Sequence, residues 1–92
     1  EIPLPDDKGR KTILSIHYDK MATSRLNISK LVELTEGFSG AELNATTVES
    51  GMIAIRESRV KVTQKDAVLA IERIKKKRES GGNTSSPDNL YS

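Results

Sequence analysis

Between residues 35 and 43 the chain reads TEGFSGAEL, and within that stretch one helix must stop and another must start. Gly37 stands where a left-handed residue closes a helix, a conformation that glycine takes without a Cβ clash. Ser39 and Glu42 then lie three apart as a capping box, in which each side chain serves the other residue's backbone N–H. Phe38 and Leu43 form the hydrophobic pair across that box. A helix, a tight turn and a second helix follow from these local rules alone.

Three further helices flank or precede this start. The prolines of EIPLPDD hold the lead-in extended, Asp6 caps, and Ile13, Leu14, His17 and Met21 share one face of a helix from Asp7 to about Ala22. Asn27 caps a shorter helix over about Ile28 to Thr35, with Ile28, Leu31, Val32 and Thr35 at helical spacing. The helix begun by the capping box carries an apolar stripe of Ala41, Ala45, Val48, Met52 and Ile55 and ends near Ser58. Gly51 inside it costs about 1 kcal/mol relative to alanine, which points to close helix packing there. After RVKV, a short extended link, Thr63 caps the last helix with Asp66 at its third position, and Ala67, Val68, Ile71 and Ile74 face inward. This helix frays into the basic run Arg73, Lys75, Lys76, Lys77 and Arg78, which reads as a solvated helix end. The expected fold is all-α, a four-helix bundle.

From Ser80 the sequence changes character. SGGNTSSPDN has the glycine, serine, asparagine and proline content of a flexible linker, so the division is a helical domain over 1–79 and a tail over 80–92. Ten such residues reach on the order of 15 to 20 Å, enough to carry Leu90 and Tyr91 clear of the domain.

Composition excludes several chemistries. In 92 residues there is no Cys, one His and one Phe, so a disulfide framework, a thiolate metal site and a cysteine nucleophile are unavailable, and no metal site is expected. A chain of this size buries only roughly 60 to 65% of its unfolded surface, and its core is thin. No glycine-rich phosphate loop with its Lys and Ser or Thr occurs, and no acidic pair follows an apolar strand to hold magnesium. His17 has no sequence partner that would make it a base and reads as a histidine at the core edge. No catalytic residue is assigned. The net charge of +2 with 30% charged residues gives a surface of mixed sign, and neither nucleic acid nor membrane is an expected partner. A soluble, cytoplasmic setting is expected, extending to the nucleus in a eukaryote.

The order IPLPDDKGRKTILSIHYDKM, LTEGFSGAEL and ESGMIAIRESRVKVTQKD resembles the helical lid subdomain of AAA ATPases. It is most similar to the lids of proteasomal regulatory ATPases, the group that includes the archaeal proteasome-activating nucleotidases. The resemblance covers Glu1 to about Arg78. It implies a four-helix AAA lid bundle with a flexible C-terminal tail, cut from an ATPase whose phosphate loop, magnesium ligands and arginine fingers lie in a large subdomain missing here. ATP hydrolysis is therefore not expected of this chain alone; ATP or ADP would be the cofactor of the full-length protein and of the isolated domain none.

Within that resemblance, the IH and GA motifs place His17, Gly40 and Ala41 against the adenine and ribose. Small residues at Gly40 and Ala41 permit a flat base to approach. The family also implies packing between neighbouring ATPase subunits of a hexameric ring. An ending in an apolar residue, a tyrosine and one more residue implies that Leu90, Tyr91 and Ser92 dock between outer-ring subunits of the core proteasome and help open its gate. Asn44, Thr46, Thr47 and Ser50 make one side of the third helix more polar than is usual in the family. Other readings are the lid of a non-proteasomal AAA unfoldase, a helical nucleic-acid binder using the basic run, and an interaction module bound by an assembly chaperone.

Overall fold

The structure is a computed structural model that describes residues 3–83, with side chains through residue 79. Four helices follow one another: α1 (Asp7–Asp19), α2 (Ile28–Leu34), α3 (Gly40–Arg56) and α4 (Gln64–Asn83). No strand occurs among the described residues; one isolated parallel bridge joins Thr23 to Val62. The fold is all-α. α3 packs on α4 and α1, and α2 packs on α1 and α4, so the helices close a ring around one core. Leu14, Leu31, Phe38, Leu43 and Ile71 fill its centre with almost no exposure.

The local start signals act as the sequence specifies. Asp6 Oδ1 accepts from the Gly9 amide at 2.8 Å, and Asn27 Oδ1 accepts from Lys30 at 3.1 Å. At α3 both arms of the capping box form: Ser39 Oγ accepts from the Glu42 amide at 3.1 Å, and Glu42 Oε1 accepts from the Ser39 amide at 2.8 Å. Thr63 and Asp66 make the same reciprocal pair at the start of α4. Gly37 has φ +85°, the left-handed geometry expected after α2.

The helix ends differ more. α1 stops at Asp19 rather than Ala22, because the Lys20 amide turns back to the carbonyl of His17 and the chain leaves to meet the link before α4. There Val62 donates to Ala22 and Ser24 donates to Val62, at 3.0 and 2.9 Å. α3 ends in a Schellman motif built without glycine. Ser58 is left-handed at φ 58°, its amide bonds to Ile55, and the Arg59 amide bonds to Ala54. α4 runs to Asn83. A formed helix gains one hydrogen bond for each residue added, and here Gly81 and Gly82 do not stop it.

That Schellman turn aims Arg59 at Asp66. The guanidinium holds the carboxylate by two contacts, 2.5 and 2.7 Å, and Asp66 is 2% exposed. The Arg59 hydrogen bond, helped by the Thr63 amide and hydroxyl, holds the Asp66 carboxyl down at about 2. Arg59 is thereby pushed above its ordinary value. Another arginine, Arg10, is buried at 4% exposure and donates to Val32 O of α2 at 3.1 and 3.3 Å and to Pro5 O at 3.2 Å. It satisfies a carbonyl near the end of α2 and ties the proline lead-in to two helices.

α3 turns Leu43, Ile53 and Ala54 into the core, and buries three hydroxyls beside them while leaving an apolar stripe outside. Thr46, Thr47 and Ser50 are buried, whereas Val48, Met52 and Ile55 are 53%, 48% and 72% exposed. The buried hydroxyls are satisfied within the bundle. Thr46, Thr47 and Ser50 donate to the carbonyls of Glu42, Asn44 and Thr47, and Ser50 Oγ lies 3.1 Å from the Tyr18 hydroxyl. Burial raises the Tyr18 phenol above its ordinary value, against the opposing effect of that hydrogen bond. Gly51 is where the segment after α1 comes close: a Cβ there would stand 2.7 Å from Met21 Cε.

Candidate functional site

The first turn of α3 carries two of the residues singled out from the sequence. The capping box uses the amides of Ser39 and Glu42, so the amides of Gly40 and Ala41 point out of the helix end. Gly40 is not glycine for reasons internal to the domain. It is not in the left-handed region, and a Cβ added to it meets nothing within 4 Å. What its lack of a side chain leaves open is the space outside.

Ala41 and Ala45 line a shallow groove of about 320 Å³ with Glu42, Ile74, Lys77 and Arg78. One wall is fixed by a chain of contacts. Glu42 uses one oxygen in the capping box and the other to pair with Arg78, whose Nε lies 2.8 Å away, and the Arg78 guanidinium lies 5.4 Å from the centre of the Phe38 ring. Farther along the same helix pair, Arg73 reaches Glu49 at 2.7 Å and holds its carboxyl below the usual range. Glu49 also takes Arg56 at 3.2 Å. All five cations of the basic run stay exposed, as a solvated helix end implies, and two of them also reach carboxylates on α3.

His17 stands elsewhere, half-buried on the last turn of α1, and is not part of the groove lining. It is joined to α3 through its neighbour, since Tyr18 meets Ser50, ten residues along α3 from Gly40. The structure brings Gly40 and Ala41 together and sets His17 on a different helix. Leu90, Tyr91 and Ser92 lie outside the described residues. Among the described residues no group of three or more His, Cys, Asp or Glu is placed to hold a metal, and no helix is long and apolar enough to cross a membrane.

Sequence reasoning missed Arg10, Arg59 and Arg78 as structural residues. Arg59 left a weak signal, lying seven positions before the capping Asp66. Arg10 and Arg78 left none, because their partners Val32 and Glu42 lie far away in sequence.

The AAA+ lid domain model matches residues 25–69, the stretch that holds α2, α3 and the beginning of α4. The chain belongs to the AAA+ lid family. Over 74 residues, 80% of this chain, it is 47% identical to the proteasome-activating nucleotidase of Pyrococcus furiosus. It is 48% identical over 79 residues to that of Saccharolobus solfataricus, and 45% identical over 85 residues, 91% of the chain, to that of Sulfurisphaera tokodaii. The lid spans about a fifth of the length of these relatives, 19% to 22%. Gly40 and Ala41 fall inside the matched stretch of the lid, and His17 precedes it.

Proposed function

We propose that this lid serves a proteasomal regulatory ATPase, a cytoplasmic hexamer that unfolds proteins and feeds them to a core proteasome. In the full-length protein the lid closes over the adenine and ribose of ATP or ADP through His17, Gly40 and Ala41. It packs against a neighbouring subunit of the ring. The segment Leu90 to Ser92 docks between outer-ring subunits of the core proteasome and helps open its gate. In that pocket Leu90 would fill an apolar site, while Tyr91 adds ring area and a hydroxyl.

The observation that carries this reading is the 47% identity over 80% of the chain to a protein named proteasome-activating nucleotidase. The geometry supports two of its parts. Open space in front of Gly40, beside outward amides and a groove at Ala41, suits the edge of a flat base. The exposed stripe on α3 is a face that a ring neighbour could cover.

Two measurements test it. In the full-length ATPase, Ala41→Gln is expected to raise KM for ATP about tenfold, a loss of about 1.4 kcal/mol of binding. An unchanged KM removes the nucleotide role. A peptide ending in DNLYS is expected to stimulate peptide hydrolysis by a matching core proteasome, and the Tyr91→Ala peptide is not. Equal stimulation by both peptides removes the docking role.

A further inference from the structure

The segment that enters α1 is fastened by polar contacts rather than by apolar packing. Pro3 is exposed and Leu4 is 59% exposed, so neither anchors it. Its backbone is stiff nonetheless, because the proline ring fixes φ at Pro5 and Leu4 before it keeps to extended geometry. Its direction is set by Arg10. Four hydrogen bonds run from this buried guanidinium to three groups: Nη1 donates to Pro5 O at 3.2 Å, Nη2 to Asp7 Oδ1 at 2.7 Å, and Nε and Nη2 to Val32 O at 3.3 and 3.1 Å. A planar fork of donors suits carbonyls lying on two sides of it, whereas a lysine ammonium is a single point charge.

Gly9 points to the same placement. It lies in the first turn of α1 and is not in the left-handed region, so its backbone conformation does not call for glycine. A Cβ there would stand 3.0 Å from Pro5 Cβ and 3.3 Å from Asp6 Oδ1. Pro5 Cβ belongs to a closed ring and has no rotamer by which to give way. The side chain missing at residue 9 is the space in which the entry segment lies.

At its other end the guanidinium reaches the carbonyl on which α2 closes. Val32 O also accepts from the Thr35 amide at 3.3 Å and the Thr35 hydroxyl at 3.2 Å, and Thr35 O accepts from the Phe38 amide at 2.9 Å. Ser39 follows, with the capping box that begins α3 at Gly40. One side chain therefore bridges the entry segment and the turn between α2 and α3.

We propose that Arg10 is a latch: it makes the entry segment, from Pro5 onward, part of the rigid body of the lid and couples the direction of that segment to the turn that presents Gly40 and Ala41. Bending between the lid and the rest of a full-length protein then falls before Pro5. A swing of the entry segment is delivered to the α2–α3 turn instead of being absorbed by a loose tether. Its use in moving a nucleotide contact rests on the function proposed above; the latch itself does not.

The sequence has no cysteine, so Leu4→Cys and Glu72→Cys place two nitroxide labels at exposed positions, one on the entry segment and one on α4. In the 92-residue chain, pulsed electron paramagnetic resonance is expected to read one narrow distance between them, and Arg10→Lys to broaden it at least about twofold. Gly9→Ala keeps the guanidinium but crowds Pro5, and is expected to displace the distance with helical circular dichroism undiminished, since alanine favours a helix. Hydrogen exchange reads the other end of the latch. In Arg10→Lys the Phe38 amide is expected to accelerate at least about tenfold more than that of Ile71 in α4. A broad distance in the chain that keeps Arg10 and Gly9, variants that leave the distance unchanged, or Phe38 and Ile71 amides that accelerate alike overturn the proposal. The last result would make Arg10 a contributor to global stability alone. These readings are taken without nucleotide, so their outcome is separate from that of the KM measurement.

Discussion

The side of α3 that faces the bundle carries Leu43, Thr46, Thr47, Ser50 and Ala54, all nearly inaccessible, while the side that faces away carries Ala41, Ala45, Val48, Met52 and Ile55. The inner side, with Ile53 also buried, mixes three apolar residues with three hydroxyls, whereas the outer stripe is apolar throughout. The inner side tolerates three hydroxyls because each is short and finds an acceptor within a turn of its own helix, so burial leaves nothing unsatisfied. Small inner residues also let α1 and the segment after it approach, as the Tyr18–Ser50 and Met21–Gly51 contacts show. The outer side is only partly covered by the domain. Full burial is concentrated in Leu43, Phe38 and Ile71, whereas the ion pairs that join α3 to α4 are half-exposed and contribute little.

The sharpest way to break this comparison is to truncate one residue on each side. Leu43→Ala removes a side chain with no exposure and is expected to cost about 3 kcal/mol in urea unfolding, from lost transfer energy plus the cavity. Ile55→Ala on the outer side is expected to change stability by less than about 0.5 kcal/mol. Similar costs at both positions would mean that the outer side is packed within the isolated domain.

Next in size is Asp66→Asn, expected to cost about 2 kcal/mol at neutral pH, less than a fully buried pair because a third of the Arg59 side chain is exposed. The loss should depend on pH. The Asp66 carboxyl sits at about 2 in the folded chain against an ordinary 3.8, so the folded state binds the proton more weakly than the unfolded state. Its contribution is therefore complete above about pH 4 and is lost as pH falls toward 2. The gap between wild type and Asp66→Asn should close across that window. A gap that persists at pH 2 would assign the effect to the Thr63 cap geometry instead of the charge.

Within the inner side, two hydroxyls are expected to behave differently. Ser50→Ala strips the Tyr18 hydroxyl of its partner and is expected to cost about 1 kcal/mol. Thr46→Val removes a hydroxyl whose only role is to bond its own helix, and is expected to lie within about 0.5 kcal/mol of wild type. Equal costs would make the inner hydroxyls a single network rather than one link to α1 beside two local bonds.

The parts of this fold legible in the sequence are those settled within a few residues. Ser39 with Glu42, Thr63 with Asp66 and the left-handed Gly37 needed no tertiary information. Periodicity separated α3 into an apolar and a hydroxyl-bearing side, but spacing alone does not say which side turns inward. That depends on which side α1 and α4 can approach closely. The arginines that fasten elements together, Arg10 to Val32 and Arg78 to Glu42, were invisible because a long cation can serve any carbonyl or carboxylate the fold brings near. At the candidate site, Gly40 and Ala41 were legible as small residues at a helix start. The groove beside them was not, since α4 supplies half of its lining.

Gly51 offers the finest test of the comparison, because it lies on the boundary between the two sides. Replacing it with alanine gains about 1 kcal/mol of helix propensity, and the new Cβ would meet Met21 Cε at 2.7 Å. That atom is the end of a flexible side chain that is itself only half-buried, so it can swing away at a fraction of the gain. Gly51→Ala is expected to stabilise the domain by about 0.5 kcal/mol, read as a small rise in the urea midpoint with unchanged slope. A destabilised variant would mean that Met21 is held rigidly against α3 and that the contact fixes the angle between α1 and α3. In that case Met21→Ala in the Gly51→Ala background should recover the lost stability, whereas a freely moving Met21 predicts that the two substitutions act independently.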